Sequence, residues 1–156
     1  MLFKQELIVL LSAAAPISEI RGAIPIGVLL FKMEPLKVMA LAVLGNMLPI
    51  MPLLFFLERF SGFLMGRFYS WNRFLTWLFE YTRKRHSGHF HYWGWAPLAL
   101  MIFVAIPFPL TGAWSGVLAA FIFGIPFRTA MLMIFLGVVL AGLIVLAGTI
   151  FGGYAF

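Results

Sequence analysis

An acid and a guanidinium sit two residues apart in the segment Pro16-Ile-Ser-Glu-Ile-Arg-Gly-Ala-Ile-Pro25, inside an otherwise apolar stretch. An ionisable side chain at the centre of a membrane helix costs about 2.5–3.5 kcal/mol, so Glu19 and Arg21 together cost about 5 kcal/mol or more unless paired or hydrated. On a continuous helix the i, i+2 spacing sends them to different faces. An unwound tip lets both face one cavity. Non-helical backbone at membrane depth is tolerated only inside protein or beside water, so the prolines and Gly22 imply a polar pocket. In that pocket Arg21 is suited to hold an anionic head through its forked donors. Glu19 is a candidate proton carrier, because burial and a neighbouring guanidinium act on its carboxyl in opposite senses. Helix starts after Gly22 and Gly112 would add free backbone donors for an anion. The competing interpretation is an internal ion pair that only locks the tip.

A second polar interruption, Pro107-Phe-Pro-Leu-Thr-Gly-Ala-Trp-Ser-Gly116, carries no charge. Pro107, Pro109 and Gly112 break the helix. Thr111 and Ser115 can bond a substrate or the freed backbone, and Trp114 can line an amphipathic cavity. Asn46, in Gly45-Asn-Met-Leu-Pro49, is either site lining or glue between helices. Lys37 and Arg128 precede intact apolar runs as anchors. His86, His89 and His91 fit no zinc spacing, and with no Cys in the chain no metal site is expected. Nor is there a phosphate-binding loop or nucleophile motif, so neither an enzyme nor a cofactor is expected.

The elements that must position these residues follow from composition. The chain has 156 residues, 63% apolar and 10% charged, with a mean hydropathy of +1.05. Soluble domains run about 45–50% apolar and about 25% charged, which excludes a cytosolic enzyme, a disordered tail and a nucleic-acid module. The net charge of +6 comes largely from basic residues between Arg59 and Arg85. Between hydrophobic blocks, that clustering reports retention on the cytoplasmic side rather than nucleic-acid binding. Lys4, Leu7–Leu11 and Ala13–Ala15 resemble a secretory signal, but Glu6 dilutes its positive end and the segment has a counterpart in the second half.

A crossing helix needs about 20 apolar residues. Val38–Leu57 and Thr129–Phe151 qualify, whereas Leu7–Phe31 and Trp95–Phe123 are long enough but interrupted near their middles. The halves align at an offset of about 90 residues: Pro16 with Pro107, Gly22-Ala23 with Gly112-Ala113, Pro35 and Lys37 with Pro126 and Arg128. If every segment crosses, the chain makes four crossings and the repeats lie parallel; interrupted segments at matching places in two halves are instead the pattern of inverted-repeat transporters. The expected fold is an all-α integral membrane protein with an inverted repeat. Each half is a re-entrant helical hairpin followed by a transmembrane helix, and interfacial amphipathic helices lie between the halves. The divisions are 1–58, 59–94 and 95–156 within a single membrane domain. Aromatics interleaved with Arg67, Arg73 and Arg83 place the centre at the headgroups.

Three stretches, Ser18–Gly27, Leu44–Pro49 and Phe103–Gly116, resemble the small multidrug export family of bacteria and archaea, in register along nearly the whole chain. That family is similar to the DedA (VTT-domain) superfamily. The resemblance implies paired re-entrant hairpins and movement of lipids, polyprenyl-phosphate carriers among them, with proton coupling. It assigns the acidic-x-basic-Gly motif to Glu19, Arg21 and Gly22, and the Pro-x-Pro and Thr-Gly-Ala-Trp motif to Pro107, Pro109, Thr111, Gly112, Ala113 and Trp114. The uncharged second tip departs from DedA proteins, which carry acids and Arg around both hairpins.

The expected function is secondary, proton-linked translocation of an amphipathic or lipid-like anion. The candidate site comprises Glu19, Arg21, Gly22, Asn46, Pro107, Pro109, Thr111, Gly112, Trp114 and Ser115. Alternatives are export of small cationic drugs, with Glu19 holding the cation, and a membrane assembly factor that transports nothing. Expected partners are membrane lipids, a lipid-phosphate-like substrate and a second copy in a homodimer, in the cytoplasmic membrane with the basic centre facing the cytoplasm. Two crossings cannot shield two hairpins from lipid.

Overall fold

A computed structural model describes residues 2–67, 95–108 and 111–153. The helices are α1 (Leu2–Ala14), α2 (Glu19–Pro25, continued by a π-helical turn at Ile26–Leu30), α3 (Pro35–Arg67), α4 (Ala96–Ala105), α5 (Ala113–Ile122) and α6 (Phe127–Gly153). No strand occurs among the described residues.

Side-chain spacing decides which faces meet. On α3, Val38, Ala42, Asn46, Ile50 and Leu54 recur every four residues and are buried, while Leu44, Leu48, Met51 and Phe55 are exposed. On α6, Ala130, Ile134, Val138 and Ala141 are buried, and Leu132, Phe135, Leu136, Leu140 and Leu143 are exposed. Water would penalise apolar faces of that extent, whereas lipid satisfies them. Pro35–Arg59 and Phe127–Gly152 are long and apolar enough to cross a membrane. The 27 residues of α6 reach about 40 Å, more than the roughly 30 Å of hydrocarbon. Both broken segments and both candidate spans are thus present as expected in a membrane protein.

The packing repeats between halves. α1 lies on α3 as α4 lies on α6, and the long helices meet each other. Each second short helix reaches across: α2 packs on α6, and α5 on α3. Two glycines allow the closest approaches. A Cβ on Gly45 would stand 2.3 Å from the Leu10 carbonyl oxygen, and one on Gly137 would stand 2.8 Å from that of Met101. Small residues at such contacts let membrane helices pack by dispersion. In the first half the chain comes back on itself, since Gly27 lies against both Val9 and Val38. Lys37 pairs with Glu6 beside them, so this lysine joins α3 to α1 as well as marking the start of a span.

Two boundaries differ from the sequence-based expectation. α2 begins at Glu19 rather than after Gly22, because the turn at Ala15–Ser18 already supplies carbonyls for the amides of Glu19 and Gly22. α3 continues as helix past Leu57 and Arg59 to Arg67, since nothing in 58–67 breaks a helix apart from two glycines. The remainder of the expected interfacial region, with its histidines, lies outside the described residues.

Candidate functional site

Pro16 contributes no amide, so the chain turns at the end of α1, and α2 starts from a residue in an unusual conformation. Glu19 has φ +46°, in the left-handed region that costs a residue with a Cβ about 1–3 kcal/mol. That backbone redirects the Glu19 side chain from its regular helical course. It can then meet Arg21 despite the i, i+2 spacing, without the tip being unwound.

The carboxylate is held from two sides. Arg21 Nη2 lies 2.9 Å from Glu19 Oε2, and the backbone N–H of Trp114 donates to Glu19 Oε1 at 3.4 Å. The second arm of the Arg21 fork donates to the Phe108 carbonyl. The charged tip of the first half is therefore bonded to the broken backbone of the second. A carboxylate at the first turn of α5 also meets the positive end of that helix. Gly112 makes this approach possible, as a Cβ there would stand 2.0 Å from Glu19 Oε2. The Glu19 side chain is 4% exposed and that of Arg21 is 21% exposed, so the acid is enclosed while the guanidinium keeps an open edge.

The second break is braced locally. The Thr111 hydroxyl accepts from the Phe108 amide at 3.2 Å and lies 2.7 Å from the Ile106 carbonyl. Ser115 Oγ donates to the Gly112 carbonyl at 3.2 Å. Thr111 thus braces the broken backbone, one of the two roles foreseen for it, while Ser115 adds a second donor to a Gly112 carbonyl that already accepts from the Gly116 amide. Of the free donors at the start of α5, the Trp114 amide is directed at Glu19.

Six of the expected residues line one cleft between the halves: Glu19, Arg21, Asn46, Pro107, Thr111 and Gly112. Gly22 is elsewhere, packed against Ser18. Trp114 joins the site by its amide rather than by lining the cleft, and its indole Nε1 is buried with no hydrogen-bond partner among the described residues. Ser115 does not line the cleft, and Pro109 lies outside the described residues. The cleft has room for at most one water molecule, so any larger group would require the tips to part. The sequence did not single out its apolar wall, Ile20, Val104, Ile106, Val138 and Ala141, nor the Phe108 carbonyl. The small pair Ala141-Gly142 within a span was the available signal, for Gly142 receives Ile20 of α2.

No curated protein and no solved structure matches the chain. A family match runs from residue 19 to residue 144, starting at the buried acid and taking in the rest of the first break, the whole of the second and every wall of the cleft. By that match the chain belongs to the family described as putative small multi-drug export protein.

Proposed function

We propose that this protein is a secondary transporter that moves an amphipathic or lipid-like anion across the bilayer, linked to protons. One observation carries the proposal: an enclosed Glu19 carboxylate serves as counterion to a partly open Arg21, and both are bonded to the opposite half. With Glu19 ionised, the Arg21 charge is already balanced. When Glu19 takes a proton it becomes neutral, and Arg21 is left with an unbalanced charge that a phosphate or carboxylate head can neutralise. Proton uptake and anion binding thereby favour each other, which is a coupling free energy between two sites. Because the same event removes the carboxylate from the start of α5, it also loosens the contact between tips.

In this proposal the broken segments are re-entrant hairpins in an inverted repeat. Short helices of 13 and 10 residues, about 20 and 15 Å long, reach only part of the way through the hydrocarbon. The return of Gly27 to Val9 supports an entry and exit on one face. Ile17 and Phe108 are exposed beside the tips, and a second copy of the chain covers them in a homodimer. The basic segment after α3 faces the cytoplasm.

The test is flux of a fluorescent polyprenyl phosphate in proteoliposomes under an imposed pH gradient. Arg21→Ala is expected to reduce flux at least about tenfold, consistent with loss of a charged hydrogen-bond donor of about 1.5–3 kcal/mol. Glu19→Gln is expected to leave residual flux that no longer responds to the gradient. Flux unchanged by both substitutions rejects the assignment. The family description favours a second reading, drug export with a cation held on Glu19. Inhibition by cationic amphiphiles but not by lipid phosphates would select it.

A further inference from the structure

Asn46 occupies the middle of the buried stripe on α3 and is 1% exposed, yet its Oδ1 has no hydrogen-bond partner among the described residues. It lines the same cleft as Glu19. A buried acceptor without a donor carries its full desolvation penalty, and its neighbours along the stripe, Ala42 and Ile50, offer no donor. Its partner is sought in the cleft that Asn46 lines, which has room for at most one water.

Charge balance selects the guest. Glu19 and Arg21 together are neutral, and Arg21 is the other charged side chain among those lining the cleft. The Trp114 amide donates to Glu19, and lining the cleft with Glu19 and Arg21 are Asn46 on α3, Thr111 of the second break and the apolar Val138 and Ala141 on α6. A resident sodium ion would leave a standing positive charge at membrane depth, which a resident water molecule does not. The charge that a transferred proton brings is the one that the anion of the proposed cycle balances.

We propose that Asn46 and Glu19 hold one water between them, and that this water passes the transported proton to and from Glu19. In the loading step hydronium at this position gives its proton to a Glu19 carboxylate oxygen, forming the carboxylic acid, and remains as water on Asn46 Oδ1. Unloading is the reverse. Asn46 is thus a positioning residue for proton transfer, and the inference rests on the proton-linked function proposed above.

The experiment is infrared difference spectroscopy, acid minus neutral buffer, on the full chain in lipid nanodiscs. The carboxyl band that Glu19→Gln removes belongs to Glu19. In the wild type, a water O–H band that shifts in H₂¹⁸O is expected to accompany it. Asn46→Leu should abolish the water band and slow deuteration of the Glu19 carboxyl about tenfold, as expected for loss of one hydrogen-bonded relay partner. Asn46→Ser, which keeps an acceptor, should retain both signals. Absence of the isotope-shifted band in the wild type overturns the inference even if the leucine variant does not fold. Exchange unaffected by Asn46→Leu overturns it too, as does a Glu19 band that follows sodium against choline at fixed pH. A water band without pH-driven flux would reject the transport proposal while upholding the water.

Discussion

Gly22 and Gly112 occupy matching places in the two breaks, but the atoms facing them make them unequal. At Gly22 an added Cβ would meet Ser18 Oγ at 2.2 Å, the end of a side chain that can rotate away. Alanine also favours the helix by about 1 kcal/mol over glycine. At Gly112 the obstacle is the Glu19 carboxylate, fixed by Arg21 and by the start of α5. Gly112→Ala should therefore destabilise the protein by about 1–3 kcal/mol, whereas Gly22→Ala should be near neutral. Thermal unfolding of purified variants measures both. In a Glu19→Ala background the collision part of the Gly112→Ala penalty should vanish, giving a coupling of about 1 kcal/mol, while the strain of a side chain at the Gly112 φ of +156° remains. Additive losses would mean that the two residues do not meet.

Between elements, glycine marks where backbones touch. Gly45 and Gly137 bring α3 and α6 against carbonyls of α1 and α4, while Gly148, further along α6, has nothing within 4 Å of where its Cβ would be. Alanine at 45 or 137 must push two helices apart and should cost about 1–3 kcal/mol. Alanine at 148 should stabilise slightly by helix propensity. Equal melting temperatures for all three variants would refute the close contacts. The elements themselves were readable beforehand, because apolar length and Pro/Gly interruption are local properties: both spans and both breaks follow from Leu7–Phe31, Val38–Leu57, Trp95–Phe123 and Thr129–Phe151. Six residues that line the cleft were readable for a similar reason: Glu19, Arg21, Asn46 and Thr111 as polar groups in apolar stretches that need partners, and Pro107 and Gly112 as helix breakers. The bond from Arg21 to the Phe108 carbonyl was not readable, as a backbone acceptor has no residue-type signature. Nor was the early start of α2, which depends on a left-handed Glu19 that composition does not encode.

For the molecule as a whole, the proposed topology makes Lys4 and Lys32 share the outer side and puts Arg128 on the cytoplasmic side. The natural chain has no cysteine, so single substitutions report without background. Lys4→Cys and Lys32→Cys should react with an impermeant maleimide on intact spheroplasts, and Arg128→Cys only after permeabilisation. Lys4 labelled only from inside would instead indicate four full crossings. Native mass spectrometry from lipid nanodiscs should find two copies, and a stable lone protomer would oppose the dimer. One feature of α3 bears on how such an assembly would work. Pro49 and Pro52 lie inside this helix and supply no N–H to the carbonyls of Gly45 and Leu48, immediately beside Asn46. The helix is weakest there and runs on to Arg67, about 27 Å beyond Pro49. A flexure of about 10° at this fulcrum sweeps the far end through roughly 5 Å, so in the proposed proton-linked cycle one proton arriving in the bilayer's interior would be felt at the surface where α3 ends.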